Sequence, residues 1–106
     1  MQEYIVIFIT TNSSASAQKI GKKLVENNLV ACVNIIPKVK SIFRWKGKLD
    51  KEDEVLLVLK TKRILFDKVV QQVKKIHPYE VPEIIGLPII CGNQTYLDWI
   101  EKEVGG

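Results

Sequence analysis

The only histidine of the chain, His77, lies in the segment KIHPYEVPEIIGLPII together with Glu80 and Glu83. Imidazole and carboxylate groups are good ligands for Cu(II) and Zn(II), and a thiolate such as that of Cys32 would extend the set. The spacing H-x2-E-x2-E does not by itself indicate a site, because side chains three residues apart on an extended chain point to opposite faces. The types of these side chains, and not their spacing, make them candidate metal ligands.

A structural role for His77 stays open beside the metal hypothesis. The residue follows a predicted helix and precedes Pro78, which resists helical geometry at the position before it. A partly protonated imidazole at a helix C-terminus interacts favourably with the helix dipole. In this interpretation the segment is a stiff joint between a helix and the strand that follows.

The two cysteines, Cys32 and Cys91, are isolated in apolar segments and lack CxxC spacing. We predict that both are buried free thiols. A cysteine with His77 and Glu83 supplies the residue types of nucleophilic catalysis, but neither cysteine lies in a nucleophile motif. No glycine-rich phosphate loop occurs either. The sequence therefore predicts no enzymatic activity.

Length and composition are typical of one globular domain, which we assign to residues 1–106. Sixteen Lys and Arg against twelve Asp and Glu give a net charge of +4, a modest excess for a nucleic-acid-binding protein. The basic run FRWKGK lacks the RNA-recognition pattern, and MQEYIVIFIT has neither a basic n-region nor the length of a membrane span. We predict a cytoplasmic protein that binds neither nucleic acid nor membrane.

Hydrophobic periodicity predicts an alternation of strands and helices. The predicted strands are 3–10, 29–36, 39–49, 54–62 and 82–90, and the predicted helices are 14–27, 64–76 and 93–103. Pro37 ends the second strand, and a charged turn at 47–54 makes a hairpin of the two strands around it. The order has one strand more than βαββαβ but fits no other arrangement as well, and we predict an α+β, ferredoxin-like βαββαβ sandwich with a short C-terminal helix.

Such a sandwich has helices on one face of its sheet only. The predicted strands 3–10, 54–62 and 82–90 nevertheless carry apolar side chains on both faces. A face of this kind needs a cover, and we predict that another copy of the same chain supplies it. Phe43 and Trp45 are expected to pack in the resulting subunit interface.

Five segments in order carry a resemblance to a known family: ENNLVACVNIIP, SIFRWKGKL, EVLLVLKT, HPYEVPEIIGLPI and GNQTYLDWI. Together, from about Tyr4 to Trp99, they resemble the CutA family of divalent-cation tolerance proteins. The resemblance implies a ferredoxin-like subunit in a homotrimer with intermolecular strand pairing, similar in architecture to the PII-type signalling proteins. It also implies tolerance of copper and other divalent metals, without an established reaction.

The resemblance supports a metal site in this chain only in part. Copper ligands proposed for bacterial members are a cysteine on the first strand and two adjacent histidines before Pro-Tyr, and these positions correspond here to Ile9, Ile76 and His77. Only His77 is retained. We therefore expect weak binding of Cu(II) or another divalent metal, with His77, Glu83 and Cys32 as the candidate ligands.

A second hypothesis is a PII-like signalling or scaffold trimer. Its inter-subunit clefts would bind a small anion or a partner protein through groups such as Lys60 and Arg44. The two hypotheses differ in ligand: the first predicts that His77→Ala removes Cu(II) binding, and the second predicts stabilisation by a small molecule with chelator present.

Overall fold

The structure, a computed structural model, describes residues 3–105. Its elements are β1 (Tyr4–Thr11), α1 (Ser14–Glu26), β2 (Cys32–Trp45), β3 (Lys48–Lys62), α2 (Phe66–Ile76), β4 (Ile84–Pro88) and α3 (Gln94–Glu103). The four strands form one antiparallel sheet in the order β2-β3-β1-β4. This topology confirms the predicted α+β sandwich with a short C-terminal helix. None of the helices in the described range is long and apolar enough to cross a membrane.

The core lies between one face of the sheet and the helices α1 and α2. Buried side chains alternate along β1 and β3, as expected for an antiparallel sheet with helices on one face. The core contains Ile5, Ile7, Ile9, Val55, Leu57 and Leu59 from these two strands and Ala17, Ile20, Leu24, Val69 and Val73 from the two helices. At Gly21 a Cβ would lie 3.1 Å from Cγ1 of Val33, so this glycine lets α1 approach the sheet closely.

The two strands predicted on either side of Pro37 are one strand, β2. Its pairing with β3 shifts register between Ile36 and Val39. A proline cannot donate a ladder hydrogen bond, and an edge strand tolerates one at a bulge. The proline therefore interrupts the pairing of β2 locally instead of ending the strand.

The predicted charged turn at 47–54 is wrong, because residues 48–54 belong to β3. The turn is instead made by Lys46 and Gly47, whose φ angles are 51° and 78°. Two successive left-handed residues produce the tight turn that matches the twist of a hairpin. Strand β1 pairs with β3 only from Val55 to Lys62, so the outer part of the hairpin is a two-stranded ribbon beyond the sheet.

The sheet face opposite α1 and α2 is here called the uncovered face. Its side chains include Tyr4, Val6 and Phe8 of β1, Leu56, Val58, Lys60 and Lys62 of β3, Cys32, Asn34 and Ile36 of β2, and Ile85 and Leu87 of β4. Helix α3 packs over one end of this face through bonds to Tyr4, Cys32 and Lys62. Ile36, Ile85 and Leu87 remain 42%, 48% and 41% exposed. The predicted second apolar face is confirmed.

Candidate functional site

His77 lies at the end of α2, where its backbone N–H donates to the carbonyl of Val73. Its imidazole is buried, with Nε2 2.8 Å from the carbonyl oxygen of Thr10 and Nδ1 3.0 Å from the backbone nitrogen of Tyr79. A carbonyl only accepts and an amide N–H only donates, so Nε2 carries the proton and Nδ1 is the acceptor. This pattern of hydrogen bonds belongs to a neutral imidazole, so the expected interaction of a charged imidazole with the helix dipole is absent.

This bonding also limits His77 as a metal ligand. A ring nitrogen coordinates a metal through its lone pair, and the lone pair of Nδ1 already accepts from the Tyr79 amide. A metal ion could reach His77 only by displacing that amide. The imidazole ties α2 to the end of β1. This is a structural role, but the partner is β1 and not the strand that follows the helix.

Tyr79 extends the same joint to the base of the hairpin. Its hydroxyl donates to Oε2 of Glu54 at 2.7 Å, and its ring lies 4.9 Å from the imidazole of His77. Burial and the bond to Glu54 raise the pKa of Tyr79, so the phenol remains a donor across the neutral range. Sequence reasoning missed Glu54 because this residue lies 25 positions before Tyr79 and leaves no local signal.

The other predicted ligands do not converge on one point. Glu80 and Glu83 are exposed, and Glu83 lies directly before β4. Cys32 lies at the start of β2, on the opposite edge of the sheet. Strands are about 4.8 Å apart, so β2 and β4 are separated by roughly 14 Å, whereas zinc ligands lie about 2.0–2.3 Å from their ion. Across residues 3–105, no group of three or more His, Cys, Asp or Glu side chains could hold a metal ion.

Both thiols are free, but their surroundings differ from the prediction. Cys32 is half-buried, and its Sγ lies 3.4 Å from the hydroxyl of Tyr96. Cys91 is exposed, so the prediction of a buried thiol is wrong there. The nucleophile–base arrangement considered above does not form, because Cys32 contacts Tyr96 and the imidazole of His77 contacts backbone groups.

Lys60 and Arg44, the groups of the second hypothesis, lie far apart in the chain. Lys60 pairs with Cys32 in the body of the sheet, and Arg44 pairs with Leu49 near the tip of the hairpin. The length of β2 from Cys32 to Arg44 is roughly 40 Å at about 3.3 Å per residue. One small ligand cannot contact both groups of a single chain.

The sequence of the chain matches one known protein family. The family described as CutA1 divalent ion tolerance protein matches residues 5–103, nearly the whole described chain. The chain belongs to the CutA1 family.

The first of the three positions that correspond to proposed copper ligands is occupied here by Ile9, which is fully buried in the core. Ile76, at the second such position, packs against the same core. The sequence departures at these positions are therefore part of the apolar packing.

Relatives of this CutA1 chain come from bacteria, animals and plants. It is 48% identical to the divalent-cation tolerance protein CutA of Thermus thermophilus, over 94% of this chain and 97% of that protein. Its identity to human Protein CutA is 42% over 90% of this chain, but the chain spans only 53% of the human protein. The chain thus spans nearly all of the bacterial relative and about half of the animal one.

Solved CutA1 structures share the whole architecture. The Thermus thermophilus structure superposes with a TM-score of 0.93, covering 99% of this chain and 100% of the other. CutA1 from Oryza sativa gives a TM-score of 0.94 at 36% identity, covering 97% of this chain and 94% of the other. The fold described above is therefore that of the CutA1 family, including the long hairpin and α3.

Proposed function

We propose that this chain acts in divalent-cation tolerance as a non-catalytic homotrimer that binds Cu(II) or another divalent ion weakly. Membership of the CutA1 family supports the tolerance role. The uncovered face is the single observation that carries the assembly, because it is apolar and only partly covered by α3. A cytoplasmic location stays a prediction, since relatives are named chloroplastic in Arabidopsis thaliana and periplasmic in Archaeoglobus fulgidus.

Two features support assembly between copies. Burial of exposed apolar side chains such as Ile85 and Leu87 stabilises a subunit interface by about 25 cal/mol per Å² of apolar area removed from water. The outer hairpin has no third strand beside it, and an isolated two-stranded ribbon is at best marginally stable in water.

The edges of the sheet support intermolecular strand pairing. Strand β4 has β1 on one side only, so its other side offers unpaired backbone groups. An open groove of about 1310 Å³ runs beside it, lined by apolar side chains such as Phe66, Ile85 and Leu97 and by polar ones such as Asp67 and Gln94. A strand from a second copy would satisfy the free edge and fill this groove.

Weak metal binding is proposed at the His77 end of the sheet. His77 bonds to Thr10, and Glu83 precedes Ile84, which pairs with Ile9, so both side chains belong to the same end. An ion bound there must displace the Tyr79 amide from Nδ1, and that displacement lowers the affinity. Cys32 could join such a site only from a neighbouring copy, because it lies at the other edge of its own sheet.

Cu(II) titration by calorimetry tests the proposed metal site. We expect weak, saturable binding by the wild type and by Glu80→Gln, a control that removes an exposed carboxylate from the same segment. His77→Ala is expected to lose the binding while light scattering shows an unchanged trimer. His77→Gln, which keeps a side-chain N–H donor for Thr10, serves if the alanine variant does not fold. Equal Cu(II) binding by the wild type and a folded His77 variant would exclude the site.

A further inference from the structure

The uncovered face carries two lysines within its four-stranded part, and only one of them forms an ion pair within the described chain. Lys62 is 5% exposed and forms an ion pair with Glu101, whose Oε2 lies 2.7 Å from its Nζ. Lys60, two residues earlier on the same face, has no carboxylate within 4.0 Å among residues 3–105. One cation of this face is therefore neutralised inside the chain and the other is not.

The contacts of Lys60 leave bonding capacity unused. Its ammonium donates to Oδ1 of Asn34, and within the described chain that is its one side-chain hydrogen bond. An ammonium group carries three N–H donors, so two remain. Asn34 uses its oxygen in this bond and keeps its NH₂ group as a further donor.

The nearest polar groups are also suited to an anion. Cys32 lies directly opposite Lys60 on the neighbouring strand, and the Tyr96 hydroxyl contacts its sulfur. Burial and the hydrogen bond to Cys32 raise the pKa of Tyr96 to about 12, so the phenol stays neutral near pH 7. Lys60 thus has Asn34 and Cys32 as polar neighbours, and no carboxylate of residues 3–105 lies within 4.0 Å of its ammonium.

Assembly through the uncovered face makes the unpaired cation costly. A charged group taken out of water destabilises a structure unless an opposite charge and hydrogen bonds compensate it. The apolar neighbours of Lys60 on this face, such as Val6 and Val58, cannot do so. This step depends on the proposed assembly, whereas the unpaired state of Lys60 is a feature of the single chain.

We propose that Lys60 and Asn34 form a binding site for a small oxyanion, a phosphate or carboxylate group, on the uncovered face of the sheet. The ammonium supplies the charge, and the amide of Asn34 supplies a second donor. The site would neutralise the remaining cation of the interface.

Thermal unfolding with inorganic phosphate, citrate or chloride at equal ionic strength tests this site. We expect phosphate or citrate, but not chloride, to raise the Tm of the wild type. The shift should disappear in Lys60→Met and persist in Lys68→Met, which removes an exposed lysine from α2. Lys60→Arg should retain it, because the charge and donors remain. Phosphate and citrate in separate samples show which oxyanion the site prefers.

Light scattering on the same samples separates this inference from the assembly itself. A trimeric wild type whose Tm responds equally to all three salts would overturn the anion site and leave the assembly standing. The site is also overturned if the shift survives in Lys60→Met, or if that variant dissociates without any added anion. Dissociation of that kind would mean that a carboxylate of another copy pairs with Lys60. A monomeric wild type that still shows a Lys60-dependent shift would support the site and contradict the assembly.

Discussion

At the scale of single residues, the fold depends on a few polar contacts that join distant segments. Glu101 on α3 accepts from Lys62 at 2.7 Å and from the hydroxyl of Tyr4 at 3.0 Å, which fastens α3 to β3 and β1. These two hydrogen bonds lower the pKa of Glu101 below its usual value of 4.5. At the other end of the sheet, His77 and Tyr79 join α2 to β1 and to the hairpin.

The lowered pKa of Glu101 predicts a pH-dependent contribution to stability. The folded state binds fewer protons there than the unfolded state, so the contribution is complete above about pH 4.5 and is lost as the pH falls through the folded-state pKa. We expect Glu101→Gln to lower the Tm at pH 7 because Lys62 is then buried without a counter-ion. The difference from the wild type should shrink as the pH falls well below 4.5, where the wild-type carboxyl also becomes protonated.

The control is Glu103→Gln, which removes an exposed carboxylate from the same helix. Thermal unfolding of the three proteins from about pH 3 to about pH 7, a range that spans the titration of a carboxyl group, makes the comparison. Equal losses of Tm for Glu101→Gln at both ends of this range would show that the ion pair is not the cause.

At the scale of elements, periodicity predicted α1, α2, α3 and the strands of the sheet, since these segments each bury one face, but it divided β2 into two strands at Pro37. It predicted the hairpin but missed the outer part of β3, because the charged residues 50–53 resemble a turn. The joint at His77 was recognisable from its prolines. Its partners, the carbonyl of Thr10 and the carboxylate of Glu54, leave no local signal because they are far away in sequence.

The start of α1 provides a test at this scale. Oγ of Ser13 accepts from the backbone N–H of Ser16 at 3.1 Å and so satisfies one of the free donors at the helix N-terminus. Ser13→Ala should lower the free energy of unfolding by about 1 kcal/mol. Ser14→Ala, a control at an exposed serine in the same turn, should have a much smaller effect. Urea denaturation at equal protein concentration measures both effects. Equal losses in the free energy of unfolding for the two variants would contradict the role of Ser13 as a cap.

At the scale of the whole molecule, the single chain is incomplete in two respects. Its uncovered face leaves Ile36, Ile85 and Leu87 partly in water, and its hairpin extends beyond the four-stranded part of the sheet. The dispersed positions of Cys32 and Glu83 fit the same pattern, since side chains at opposite edges of one sheet can meet only across a subunit boundary. In the proposed trimer, assembly would bring Cys32 of one copy to the His77 end of another and would bury Lys60.

The most direct test is the molar mass in solution by size-exclusion chromatography with light scattering. We expect three times the 12.1 kDa chain mass for the wild type. Leu87→Lys places a charge on the uncovered face and should give folded monomers. Val25→Lys changes a residue of nearly equal exposure, 40% against 41%, on the helical side and should remain trimeric. A wild-type mass of one chain, or an unchanged trimer in Leu87→Lys, would contradict assembly through this face.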